Sequence, residues 1–142
     1  MIVPDVNLLI YAVNVDAPLH QKAKEWLDRT LSGSETVGLS WLVLLAFVRL
    51  TTRPGVFRKP LPVQSAFELL DGWVAHPLVT MIHPGPRHFY VVRELLESLG
   101  TAGNLVSDAH LAALAIENHA ELYSFDNDFA RIPRLRWRNP LS

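Results

Sequence analysis

Apolar positions along this chain follow two rhythms. Short, nearly continuous apolar runs at Met1–Val6, Thr36–Leu39, Val79–Ile82 and Leu122–Ser124 are bounded by turn residues and read as strands, with Leu135–Trp137 as a fifth. Pro4 sits awkwardly in the first run, because proline donates nothing to a ladder, and is placed at that strand's last turn. The stretches between the runs carry helical spacing. Asn7–Val13 reads as a short helix. Pro18 opens a helix whose stripe is Ala23, Trp26 and Leu27, and Ser32, Gly33 and Ser34 end it. Ser40 is placed as the N-cap of a helix over Trp41–Thr52, which Pro54 and Gly55 stop. Val63–Val74 and Pro86–Leu99 are further helices. Asn104 or Ser107 is expected to cap a last one running to about Asn118. Ala109, Ala112, Ala113 and Ala115 on that helix leave room for close packing on a sheet.

Strands that alternate with helices predict an α/β fold: an α/β/α sandwich around a mostly parallel, short-stranded sheet, expected as a single domain over residues 1–142. In such sheets ligands collect at the carboxyl ends of the strands. Three acidic positions obey that rule. Asp5 ends the first strand, Asp126 and Asp128 follow the fourth, and Asp108 opens the alanine-rich helix. Each also has a structural reading: Asp5 as a helix cap, Asp108 as a first-turn acid favoured by the helix dipole, Asp126 and Asp128 as turn residues. Converging, they form a carboxylate cluster, and mutually repelling carboxylates imply a cation. Mg²⁺ is the expected ion and Mn²⁺ the alternative, since hard cations take carboxylate oxygens and keep several waters. Phosphodiester hydrolysis is chemistry that such an ion serves.

Composition narrows the field. The 142 residues carry a net charge of −1, so charge alone points to no nucleic-acid partner. Arg49, Arg53, Arg58 and Lys59 nevertheless fall close together, and Arg131, Arg134, Arg136 and Arg138 crowd the C-terminus. With no cysteine, disulfides and thiolate metal sites are excluded. The longest apolar run, Leu42–Val48, is far short of the ~20 residues a membrane span needs. No secretory pattern opens the chain, so a soluble, cytoplasmic protein is expected. His20, His76, His83, His88, His110 and His119 never take HExxH spacing, and no GxxxxGK[ST], GxGxxG or GxSxG occurs. His110, two positions from Asp108, reads as surface or packing. Trp26, Trp41, Trp73 and Trp137 read as core or interface.

Taken in order, the motifs resemble PIN domains, and within them VapC toxins of actinobacterial toxin–antitoxin pairs. MIVPDVNLLIYA is similar to the first PIN motif. GNLVSDAHLAALAIENHAELYSFDNDFARI is similar to the C-terminal half: an Asp leading an Ala-rich helix, a strand, then D-x-D-F. SWLVLLAFVRLTTRPGVF and LRWRNPL resemble the central helix and the closing segment of the VapC group. The resemblance covers essentially the whole chain. It implies a metal-dependent endoribonuclease acting on structured RNA (transfer or ribosomal), a VapB-type antitoxin, and a homodimer. Position by position it implies Asp5, Asp108 and Asp126 as metal ligands and Asp128 as a further catalytic acid. It also implies Asn7 in support, and Arg49 facing either RNA phosphate or a site carboxylate. The antitoxin is expected on an apolar face around Trp26 and the Trp41–Val48 helix. One departure stands out: Ala46 occupies the place where many PIN domains carry a Glu, and Glu117 lies too far along its helix to replace it. One tightly held ion is therefore expected, with any second supplied mainly by substrate phosphate. The competing reading is a catalytically weak PIN-like protein that binds RNA or a partner.

Overall fold

The computed structural model describes every residue from Met1 to Ser142. Its centre is one five-stranded sheet in the order β3-β2-β1-β4-β5, with every pairing parallel. The strands are β1 (Ile2–Pro4), β2 (Val37–Ser40), β3 (Val79–Ile82), β4 (Glu121–Tyr123) and β5 (Trp137–Arg138). Six helices connect them: α1 (Val6–Val13), α2 (His20–Leu31), α3 (Trp41–Thr52), α4 (Val63–Val74), α5 (His88–Leu99) and α6 (Val106–Glu117). The chain runs outward from β1 through β2 to β3, then returns to lay β4 on the other side of β1. That reversal opens a crevice between the carboxyl ends of β1 and β4.

Two side chains predicted as helix starters perform that role. The Ser40 hydroxyl accepts from the Val43 N–H at 3.2 Å, and the Asp5 carboxylate accepts from the Val6 N–H at 2.7 Å. Other boundaries moved. Pro18 and Pro86 each stand two residues ahead of their helices, in the turns that lead in. The alanine-rich helix is capped by neither Asn104 nor Ser107. A 3₁₀ turn over Gly103–Leu105 runs straight into it, with Leu105 at the N-cap position and no side-chain cap.

Pro4 lies in the middle of the sheet, not at an edge. The Ile2 N–H bonds to Thr36 O on the β2 side, and the Asp5 N–H bonds to Tyr123 O on the β4 side. Alternation puts the missing N–H of Pro4 on the β2 side. There the β1–β2 ladder has ended after Ile2↔Val37, whereas the β1–β4 ladder continues to Pro4↔Tyr123. The loss falls where no bond was due.

The core packs both faces of this sheet. Ala109, Ala112, Ala113 and Ala115 are all fully buried, so α6 lies tight in the fold as their size allows. Trp26 is buried as well, stacked on Tyr123 with ring centroids 5.7 Å apart. It therefore offers no surface to a partner, contrary to expectation. Trp41 and Leu45 on α3 stay 55% and 60% exposed. Gly38 in β2 faces a tight spot. A Cβ there would lie 3.0 Å from both Ile82 Cγ2 and Met1 Sδ. Gly38→Ala is expected to cost about 1 kcal/mol through overpacking, read as a lower urea midpoint. An unchanged midpoint would mean that the Met1 thioether simply swings aside.

Candidate active site

The acidic residues gather at the β1–β4 crevice. Asp5 follows β1 directly, Asp126 and Asp128 sit on the turn after β4, and Asp108 is in the first turn of α6. Carboxylate oxygens of Asp108, Asp126 and Asp128 lie within 4.8 Å of one another. Asp5 stands just outside that group, with one oxygen held by the Val6 N–H and the other by the Ser124 hydroxyl at 2.8 Å. The structural readings of these acids therefore hold alongside the clustering: Asp5 caps α1, and Asp126 accepts from the Asp128 N–H at 2.9 Å.

Ser124 was not singled out in the sequence, yet it is the hub. It is fully buried at the end of β4. Its hydroxyl donates to Asp5 and accepts from the Asn7 amide and from the Asp126 N–H, each at 3.0 Å. Trp137 holds its carbonyl through Nε1, also at 3.0 Å. Asn7 thus supports Asp5 through Ser124. The other atom of its amide, Oδ1, is buried without a hydrogen-bond partner.

Electrostatics match the crowding. Burial pushes the Asp5 carboxyl above its usual range. The bonds from Ser124 and Val6 oppose that, and the charge of Asp126 adds to it. Asp108 is pushed up to about 6, first by burial and then by the charges of Asp5, Asp126 and Asp128. An acid so perturbed in a crevice is what a cation site looks like without its cation.

Arg49 lies exposed on α3, and none of the chain's ion pairs involves it, so no bridge to a site carboxylate forms. Ala46 brings no carboxylate. Glu117 is spoken for elsewhere: it accepts from the Gly85 N–H and from His88 Nδ1. His110 is neither loose surface nor simple packing. Its Nδ1 lies 2.8 Å from His88 Nε2, and burial, followed by His88, lowers its pKa against the pull of Glu117.

The family model for the PIN domain matches residues 2–135. This chain belongs to the PIN-domain family. Within it the protein stands with the VapC group. Ribonuclease VapC37 of Mycobacterium tuberculosis is 44% identical over 140 residues, 99% of this chain and 97% of that protein. Ribonuclease VapC33 of the same species is 42% identical over 141 residues, 99% of each chain. Among solved structures, VapBC2 from Rickettsia felis bound to a promoter DNA fragment aligns with a TM-score of 0.72 at 23% identity, over 98% of both chains. Mycobacterium tuberculosis VapC20, described as a sarcin–ricin loop cleaving toxin, aligns at 0.71 and 20% identity, over 96% of this chain and 99% of that one. At such identities those two likenesses establish the PIN fold, and the α/β sandwich with its parallel sheet is that fold.

Proposed function

We propose that this PIN-domain protein is a divalent-metal-dependent endoribonuclease and the toxin of a VapBC-type pair, a single domain acting in the cytoplasm. The observation that carries the reading is the convergence of Asp108, Asp126 and Asp128 within 4.8 Å beside Asp5 at the sheet's switch point. Full-length relatives named as ribonucleases support it.

The residues present fit Mg²⁺. They offer only carboxylate and amide oxygens, which suits a hard ion, and the raised Asp108 pKa is relieved by positive charge. Asn7 Oδ1 is a buried acceptor in want of a donor, which suits a hydrated cation nearby. Asp5, Asp108 and Asp126 would hold one ion tightly, and Ala46 leaves a second to be supplied by substrate. When bound, the ion supplies Lewis-acid activation of water and shields charge on phosphate. The chain's own work is positioning. Ser124 orients Asp5, the Asp128 N–H fixes Asp126, and Asp128 adds its carboxylate at the rim. Arg49, free of any carboxylate, is available to an RNA phosphate.

VapC20 is described by the ribosomal loop it cleaves, which supports structured RNA, ribosomal or transfer, as this chain's substrate class. VapBC structures support a VapB-type antitoxin. The exposed Trp41, Leu45 and Phe67 border a groove of about 270 Å³ between α3 and α4, apolar enough to take an antitoxin segment. A basic antitoxin side chain entering the acidic crevice would block the ion. A homodimer completes the reading.

Purified protein is expected to cut RNA only with a divalent ion. EDTA should stop cleavage, and Mg²⁺ or Mn²⁺ restore it. Cleavage persisting in EDTA would overturn the reading, and RNA binding without cleavage in Mg²⁺ would favour the weak-enzyme alternative that Ala46 invites. Calorimetric titration should find one tight ion; two would refute the single-ion arrangement.

A further inference from the structure

A second feature lies on the same edge of the sheet and plays no part in the carboxylate site. The N-terminal turns of α3, α5 and α6 converge around an open groove of about 610 Å³, a size typical of ligand pockets. Its walls are mostly apolar: Leu42 of α3, Phe89, Val92 and Leu96 of α5, and Val106 of α6. Phe89 is 71% exposed, an aromatic face with nothing on it. Two polar groups enter from α6, Ser107 and His110, one turn apart on one face of the helix.

His110 is held in place by a buried relay. Glu117 Oε2 accepts from His88 Nδ1, so that nitrogen carries a proton. His88 Nε2 and His110 Nδ1 then share one proton across 2.8 Å. Whichever ring holds it, the His110 ring is fixed, and its Nε2 has no partner within the chain. Glu117 and His88 are only 15% and 13% exposed, and the Gly85 N–H completes the carboxylate's bonding. A satisfied buried chain of this kind costs desolvation. It is out of place behind a purely apolar contact and suited to presenting one nitrogen in one direction.

Resting on the ribonuclease reading, we propose that this groove takes an unpaired base of the RNA substrate, stacked on Phe89 and hydrogen-bonded by His110. Sequence-selective RNA binding relies on splayed bases that stack on aromatic side chains and bond along their edges. Ser107 adjoins Asp108 in the first turn of α6, so the groove lies about a helix width, on the order of 10 Å, from the carboxylates. That places the base beside the reacting phosphate. Arg87, exposed next to Phe89 and engaged only with the Tyr90 ring, puts a cation at the rim for the backbone. His110 and Ser107 would then set which base is preferred at the cut, with His88 and Glu117 as positioning residues behind His110.

The test uses fluorescein-labelled single-stranded RNA of random sequence, with binding read by anisotropy in EDTA and cut sites mapped in Mg²⁺. Phe89→Ala is expected to weaken binding about ten-fold, with an unchanged thermal midpoint and an unchanged rate at saturating RNA; Phe89→Trp should restore affinity. His110→Ala should flatten the base preference beside the cut. Wild-type affinity in Phe89→Ala overturns the proposal even where cleavage proves divalent-dependent. Binding lost in Phe89→Ala by a protein that never cuts would keep the groove and sink the nuclease. Halved mass of Phe89→Ala in light scattering, with RNA affinity per chain unchanged, overturns it by assigning the groove to a second copy of this chain.

Discussion

Asp108→Asn should abolish RNA cleavage, by about 10³-fold or more, and also raise the thermal midpoint of the metal-free protein. The two effects have one cause. With four carboxylates at one crevice, Asp108 holds its proton up to a pH of about 6 against an ordinary value of 3.8. A folded-state pKa raised above the unfolded one contributes stability that is fully present below about pH 4. It is lost as pH rises through about 6. At neutral pH the metal-free fold therefore carries an ionised Asp108 at a cost. Undiscounted, the shift would correspond to about 3 kcal/mol. Asp108 is half-exposed, so solvent screening brings the expected gain to about 1–2 kcal/mol. Asparagine keeps the shape and removes the charge. In saturating Mg²⁺ the order should reverse, because the ion stabilises only the chain that binds it well. Melts in EDTA and in Mg²⁺ at pH 7.5 and 5.0 check this. The wild type–variant gap in EDTA should shrink at the lower pH. Cleavage by Asp108→Asn at the wild-type rate would remove Asp108 from the metal site. A variant no more stable in EDTA would mean that the crevice already screens its own charge.

Much of this arrangement is legible in the amino-acid order, for reasons that are local. Ser40 before an apolar helical run and Asp5 at the end of an apolar strand announce their caps. The alanine density of α6 announces its burial. The alternation of runs and helices leads to the parallel sheet. What is not legible depends on distant partners. Ser124 reads as the last residue of a strand. Only the pairing of β4 with β1 brings its hydroxyl to Asp5, 119 positions away in the chain. Glu117, His88 and His110 are unremarkable singly, and no short motif foretells that α5 and α6 lay them in series. Trp26 shows the opposite failure. An apolar stripe on an early helix suits a docking face as well as a core, and the stacking on Tyr123 that decides for the core is long-range. Asp126 and Asp128 were read both as a turn and as ligands; the geometry keeps the turn and brings the two carboxylates to Asp108, because a tight 3₁₀ turn after a strand does both.

Ser124→Ala is expected to cut cleavage by about 10–100-fold and to destabilise the fold by about 2–3 kcal/mol, although Ser124 touches neither ion nor RNA. Losing its hydroxyl strands three groups at once: the Asn7 amide and the Asp126 N–H lose an acceptor, and Asp5 Oδ2 loses a donor. Each buried group left unpaired costs about 1–3 kcal/mol, offset in part where water enters. The functional loss has a separate route. The Ser124 bond is the largest influence drawing the Asp5 pKa down, so without it burial holds the Asp5 proton more firmly and an ion must compete harder for the carboxylate. Apparent Mg²⁺ affinity should therefore weaken, and the weakening should be greater at pH 6 than at pH 8, where proton competition fades. A merely structural serine would lower the midpoint and leave that pH-dependent affinity alone. In a double-mutant cycle on metal affinity, Ser124→Ala should add almost nothing to Asp5→Ala, because the serine acts through that carboxylate. Full additivity would instead separate the two, leaving Asp5 oriented by the Val6 N–H alone and Ser124 as a tether between β4 and the turn that carries Asp126.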